Sequence, residues 1–266
     1  MIKIVFNKKI TGFGNEYEFY KELNNRRISE INPLLKEFME DLFGKIDKDS
    51  LIECSVDYEK KKYDIKITIN HVTKNVSIKK GIKNSVHVEG ISSFIHFLIE
   101  NKVDRQNVIN YLKYHYADGT TNGTGLNRIS VNEYKKEHQS EIDEINKIIN
   151  TNEILNKATQ RFVIKGNICN EEIDALIFGV SNDFIWIKKE DIKEIILSKK
   201  DVYSTAVHFG PLTVQPLDRC LNKNPKYKKR RFCVQIKWYN LADDILESMN
   251  KNAMLKSGYI DKPHSS

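Results

Sequence analysis

Asp64, Ser77, Lys79 and Glu89, in the stretch YDIKITINHVTKNVSIKKGIKNSVHVE, have the types and spacing to hydrolyse a phosphodiester. That reaction needs a positioned water, stabilised negative charge and a protonated leaving group. Carboxylates holding Mg²⁺ supply most of this, and a lysine beside the attacking water adds positive charge. Mg²⁺ takes hard oxygen ligands and keeps several waters, so one or two acids and the phosphate suffice. Asp64 opens one apolar strand, Lys79 sits near the end of the next, and Glu89 follows where a helix is expected to begin.

The elements that must position these groups are a hairpin and its surroundings. LIECSVDY (51–58), YDIKITIN (63–70) and KNVSIKKG (74–81) predict strands, and Ile65, Ile67 and Ile69 alternate with polar neighbours, so one face is buried. Asn70-His71-Val72-Thr73 is the expected turn. Adjacent antiparallel strands lie about 4.8 Å apart, so the ends carrying Asp64 and Lys79 can meet at one edge. Ser77 and Lys79, two residues apart, face the same side. Asp57 is a nearby rival for Asp64, and it also reads as a turn residue ahead of Glu59.

This pattern resembles the PD-(D/E)XK nuclease core of type II restriction endonucleases. In that family an acid on one strand is followed by an acid-X-Lys triplet on the next. Asp64 matches the first acid and Lys79 the lysine; Tyr63 stands where proline often precedes the acid, and Ser77 fills the second acidic slot. The sequence is more similar to a Ser-X-Lys subset, in which a downstream glutamate replaces the lost acid, and Glu89 fits that place. The resemblance implies that Asp64, Glu89 and the carbonyl of Ile78 bind Mg²⁺, that Lys79 stabilises the attacking hydroxide, and that Ser77 assists. It also implies an α/β, restriction-endonuclease-like fold with a mixed sheet flanked by helices. Members often carry a further glutamate on the first core helix, for which Glu16, Glu18 and Glu30 compete. A homodimer, and a cognate methyltransferase acting on the same site, are the partners such an enzyme implies.

The segment after Lys79 carries Lys80, Lys83, Asn84, Ser85 and His87, all possible phosphate donors. Asn84 or Ser85 could equally cap the following helix. His87 reads either as a general base or as a structural histidine.

Helices are expected at 16–24, 28–43, 88–101, 104–115, 130–158, 190–198 and 241–252. The long polar one at 130–158 starts with a Ser130–Glu133 capping box. Strands are expected in an arm at 1–10 and at 161–165, 174–180, 184–188, 205–215 and 231–239. Domain boundaries follow: a nuclease core at 1–130, a connecting helix at 131–160, and a C-terminal α/β part at 161–266. The glycine-rich loop YADGTTNGTGLNR (116–128) lacks the P-loop and EF-hand patterns and reads as a mobile loop closing over DNA, with Arg128 as its phosphate contact.

Net charge is +7, and segment 219–231, RCLNKNPKYKKRR, holds seven Lys/Arg and no acid. Phosphate is the natural partner of such a cluster. Arg219, Asn222, Lys226, Lys228, Lys229, Arg230, Arg231, Gln235 and Lys237 are therefore candidate DNA contacts, with glutamine and asparagine suited to adenine and arginine to guanine or phosphate. Asp218 with Gln235-Ile-Lys237 also mimics the catalytic spacing and stands as a rival site.

At 40% hydrophobic and 30% charged, the chain reads as a folded globular protein, without a membrane helix or a secretory signal. Four scattered cysteines with no CxxC pair argue against a zinc ribbon and fit a reducing cytoplasm. The expected function is a Mg²⁺-dependent DNA endonuclease. The alternatives are a non-catalytic nucleic-acid-binding protein and a nuclease acting on RNA or on branched or damaged DNA.

Overall fold

The computed structural model describes residues 12–59, 61–81, 84–167, 170–218, 221 and 224–256. The expected arm at 1–10 lies outside them. In chain order the elements begin with α1 (Gly12–Leu23), β1 (Arg26–Arg27), α2 (Pro33–Phe43), β2 (Leu51–Val56), β3 (Ile65–Ile69), β4 (Val72–Lys79) and β5 (Ser85–Gly90). Five helices follow: α3 (Ile91–Glu100), α4 (Arg105–Tyr116), α5 (Val131–Glu137), α6 (Gln139–Ile149) and α7 (Asn152–Thr159). The chain ends with β6 (Ala175–Val180), β7 (Asp183–Lys188), α8 (Lys189–Ser198), β8 (His208–Phe209), β9 (Leu212–Pro216), β10 (Cys233–Trp238) and α9 (Leu241–Lys256).

These elements form two compact units. One draws on Met1–Asn84, Ile164–Ile195 and Asn240–Ser266, the other on Ser85–Val163 and Ile196–Tyr239. Each unit takes residues from both halves of the chain, so the boundaries expected at 130 and 160 do not coincide with them.

The first unit is built on a six-stranded mixed sheet of order β1-β2-β3-β4-β6-β7. All neighbours are antiparallel except β4 and β6, which run parallel from Val76↔Ala175 to Lys79↔Phe178. The alternation read in β3 is real: Ile65, Ile67 and Ile69 are buried with Phe19 and Leu23 of α1 and Phe38 of α2. Each such side chain contributes about 1.5–3 kcal/mol by leaving water. The β3–β4 turn pairs Ile69 with Val72, and both intervening residues have positive φ, Asn70 at 48° and His71 at 66°. A two-residue hairpin needs that conformation, and asparagine tolerates it well. Helix α2 starts later than expected. Asn32 caps it by accepting from the Leu35 N–H at 2.9 Å, Pro33 fills its first position, and Ile28–Glu30 form a separate 3₁₀ turn.

The second unit holds a four-stranded antiparallel sheet of order β5-β10-β9-β8, with helices α3 to α7. Three expectations differ here. Residues 88–90 belong to strand β5, paired with β10, and helix α3 begins at Ile91 behind Gly90, so neither Asn84 nor Ser85 caps it. The single helix expected at 130–158 is three. Ser130 and Glu133 form the capping box of α5, α6 starts beyond His138, and Thr151 caps α7. The strand expected at 161–165 is a π-helical turn, Gln160–Lys165, whose Phe162, Val163 and Ile164 are all buried. An aromatic core fills this unit, with Phe97 and Phe162 rings 5.0 Å apart and Phe94 and Tyr111 rings 4.8 Å apart. Among the described residues no helix is long and apolar enough to cross a membrane.

Candidate active site

Asp64 sits one residue before β3, where the ladder to β4 continues: its N–H donates to the Val76 carbonyl at 2.9 Å. That bond delivers its carboxylate to the end of β4. Asp64 Oδ2 accepts from Ser77 Oγ at 3.0 Å, from the Ile78 N–H, and from Lys79 Nζ at 3.2 Å. Lys79 Nζ also donates to the Ile78 carbonyl at 3.1 Å. Two oxygens thus converge on one cationic atom. Ser77 is buried, whereas the Asp64 and Lys79 side chains remain 21% and 22% exposed, open to a ligand.

The three candidate glutamates of the N-terminal region separate clearly. Glu18 pairs with Lys21 at 2.8 Å, and Glu30 accepts from the Arg27 N–H at 2.8 Å. Glu16 instead feels the site. Burial, and then the charge of Asp64, push its carboxyl up to about 7, while Lys79 pulls the other way. Helix α1 is held in place by Asn15, whose buried Nδ2 donates to the Gly179 carbonyl at 2.9 Å. Gly179 follows Phe178, the register partner of Lys79. Its φ of 140° and the Asp183 carbonyl, 2.3 Å from where a Cβ would stand, leave room only for glycine. Asn15 is a positioning residue that no sequence signal marked, because its acceptor lies 164 residues away.

Glu89 has other partners. It lies in the second unit, where Arg161 Nη2 donates to its Oε2 at 2.7 Å and His87 Nε2 stands 3.6 Å away. Burial works against its charge, but hydrogen bonds from His87 and Arg161 outweigh that and hold its carboxyl below the usual range. Glu16 shares the unit of Asp64 and feels its charge, while Glu89 is paired with Arg161 in the second unit. His87, expected as a possible base, packs its ring 5.4 Å from Phe162 and serves this buried cluster.

Of the expected DNA contacts, Lys83, Arg219, Asn222 and the side chain of Lys226 lie outside the described residues. Lys80 and Asn84 belong to the first unit, and buried there are a Lys80 Nζ and an Asn84 Oδ1 with no hydrogen-bond partner among the described residues. Arg128 differs from expectation. It is bound to Asp218 through Oδ2 and the carbonyl, each at 3.0 Å, and to the Tyr116 carbonyl at 3.0 Å. Arg231 pairs with Asp118, which also accepts from Thr120 and Gly125, so the glycine-rich loop is tied down rather than left loose. Lys228, Lys229 and Arg230 are exposed. Ser85, Gln235 and Lys237 share one sheet: Lys237 pairs with Ser85 on β5, and Gln235 accepts from Gln215 at 3.1 Å. In the rival site Asp218 is held by Arg128 and Lys237 lies over the Tyr239 ring. The other rival, Asp57, lies 3.8 Å from Lys61 and has one buried carboxyl oxygen without a partner among the described residues.

Among the described residues, no three His, Cys, Asp or Glu side chains form a metal cluster. Mg²⁺ does not require one, since one or two carboxylates with waters and phosphate complete its shell. The donors present fit it. Asp64 and the Ile78 carbonyl offer hard oxygens converging on the Lys79 ammonium, and Glu16, raised to about 7 by burial first and by the charge of Asp64 second, adds a carboxyl in the same unit.

No known family profile matches this sequence, and no curated protein does. Among solved structures, the chain is similar to restriction endonuclease MspI in complex with its cognate DNA. The TM-score is 0.51 at 14% identity, over 85% of this chain and 91% of that one. The fold is therefore restriction-endonuclease-like: a mixed α/β fold whose sheet is flanked by helices.

Proposed function

We propose that this protein is a Mg²⁺-dependent endonuclease that hydrolyses double-stranded DNA, of the type II restriction kind. The observation that carries this reading is the convergence of Asp64, the Ile78 carbonyl and Lys79 at the end of β4, with Glu16 alongside. It is supported by the likeness to an endonuclease whose structure contains cognate DNA.

Asp64, the Ile78 carbonyl and Glu16 would hold the metal. When bound, Mg²⁺ lowers the pKa of a water and neutralises charge on the phosphate. Lys79 stabilises the attacking hydroxide and the negative charge that grows on the phosphoryl oxygens. Ser77 and the Ile78 N–H fix the Asp64 carboxylate so that it needs no reorganisation during the reaction. The products are a 5′-phosphate and a 3′-hydroxyl. A palindromic target calls for a homodimer with one site per strand.

Plasmid digestion with Mg²⁺ tests the reading. Discrete fragments that vanish on chelation are expected, and a smear would point to a nonspecific nuclease. Binding without cutting in any divalent metal would leave a non-catalytic DNA-binding protein.

A further inference from the structure

Strand β10 buries Val234, Ile236 and Trp238 and turns Gln235 and Lys237 to the opposite face. The register sets Gln235 beside Gln215 and Lys237 beside Thr213 on β9, with Val88 and Ser85 on the other flank. Tyr239 Oη donates to Gln215 Oε1 at 3.5 Å, and Gln215 Nε2 donates to Gln235 Oε1 at 3.1 Å. Gln215 is 4% exposed, so this relay is fixed from beneath. Its direction has a chemical result. The Gln235 carbonyl is already engaged, while its Nε2 has no acceptor among the described residues and is left to donate outward. Lys237 stands two residues on, meeting the Tyr239 ring at 5.5 Å among the described residues, and adds a second set of donors.

Neither β9 nor β10 contains a carboxylate, and the one acid of β5, Glu89, is buried on Arg161. The same unit exposes Lys228 and Lys229, for which the described residues supply no acidic partner. The face is therefore donor-rich and free of carboxylates, in a unit that exposes further cations. Of the base edges in a major groove, guanine alone offers two acceptors, N7 and O6, and no donor.

We propose that the Gln235–Lys237 face reads guanine in the major groove, with Gln215 and Tyr239 as positioning residues that lock the Gln235 amide donor-outward. This rests on the nuclease reading for its ligand, duplex DNA, and adds the base that is recognised.

The test maps the sequence cut by the full chain in Mg²⁺, then replaces each of its guanines with a deaza analogue lacking N7. At one guanine the replacement should slow the parent about tenfold or more, the scale of a lost base contact. Gln235→Glu, which keeps the shape and removes the donor, should lose a similar factor on the intact site and become insensitive to the replacement. Tyr239→Phe should weaken discrimination at that position while DNA binding persists. If Gln235→Glu and Lys237→Gln both cut the parental sequence at the parental rate, the inference is overturned and the nuclease reading stands. If the parent cuts nothing, the nuclease reading fails. The face is then judged by selection from a random duplex pool: guanine enrichment abolished by Gln235→Glu supports it, and recovery of sequences without guanine preference overturns it.

Discussion

Two carboxylate–cation pairs, Asp64 with Lys79 and Glu89 with Arg161, look alike in a contact list and differ in what is left over. Glu89 is 6% exposed, and Arg161 grips both its oxygens while also reaching Ser93. Everything there is spent. At Asp64 one oxygen takes all three donors, the pair is about one-fifth exposed, and burial together with the charge of Asp64 raises the neighbouring Glu16 carboxyl to about 7. A saturated carboxylate holds a fold together. A carboxylate with an unspent oxygen can take a further cation.

The comparison breaks or sharpens under substitution. Asp64→Asn or Lys79→Ala should cut DNA cleavage by about a thousandfold, the scale of losing a preorganised charge-stabilising group, with the thermal midpoint little changed; unaltered cleavage would remove this site from contention. Glu89→Gln should cost about 1–3 kcal/mol of stability by removing the buried carboxylate's charge from its ion pair, Arg161 itself being part-exposed and still bound to Ser93. Denaturant titration reads that cost, and cleavage per folded molecule should hold. A cleavage loss without a stability loss would restore Glu89 as a catalytic acid.

A third prediction concerns the fold of the second unit alone. His115 is fully buried, its Nε2 lies 2.9 Å from the Arg231 carbonyl, and its Nδ1 has no partner among the described residues. Burial depresses its pKa to about 4. The unfolded chain takes up a proton near pH 6.5 and the folded one does not until about 4. Stability is thus complete above the upper value and falls with pH through that window, by about 3 kcal/mol. Urea titration of the parent and His115→Leu from pH 7 to 4 should show a shallower slope in the variant.

The smallest effect on stability belongs to Glu16, whose proposed part in metal binding should show separately as a loss of cleavage. Its raised pKa means that ionising it opposes folding from the unfolded carboxyl range upward, with the full cost above about 7. Glu16→Gln should therefore raise the thermal midpoint at pH 8 and leave it unchanged at pH 4. It should also flatten a rise in cleavage rate through neutrality. A variant no more stable at pH 8 would place Glu16 away from the charge of Asp64.

The hairpin was legible because its signals are local: alternating isoleucines, the parity of Ser77 and Lys79, and a turn expected over 70–73, which the structure tightens to Asn70-His71. The Glu89–Arg161 pair was not legible, because its partners lie 72 residues apart and leave no trace in spacing. The same holds for Glu16, whose choice over Glu18 and Glu30 depends on a helix pinned through Asn15. The run RFVIK reads as a strand because three successive apolar residues are buried, yet a π-helical turn buries them too. The break at Thr151 was readable as a cap. The apolar stripe running through it masked the signal.

The parallel pairing of β4 with β6 bears on biosynthesis. The strand that ends in Lys79 leaves the ribosome long before its neighbour: Val76 must wait for Ala175, about a hundred residues later. At ordinary translation speeds that is an interval of about 5 to 20 seconds. Through it the nascent hairpin has a bare edge of unmatched amides, the kind that adheres to other nascent chains. Slowing elongation between these strands, or withholding chaperones, should lower the yield of soluble product more than the same treatment after Phe178.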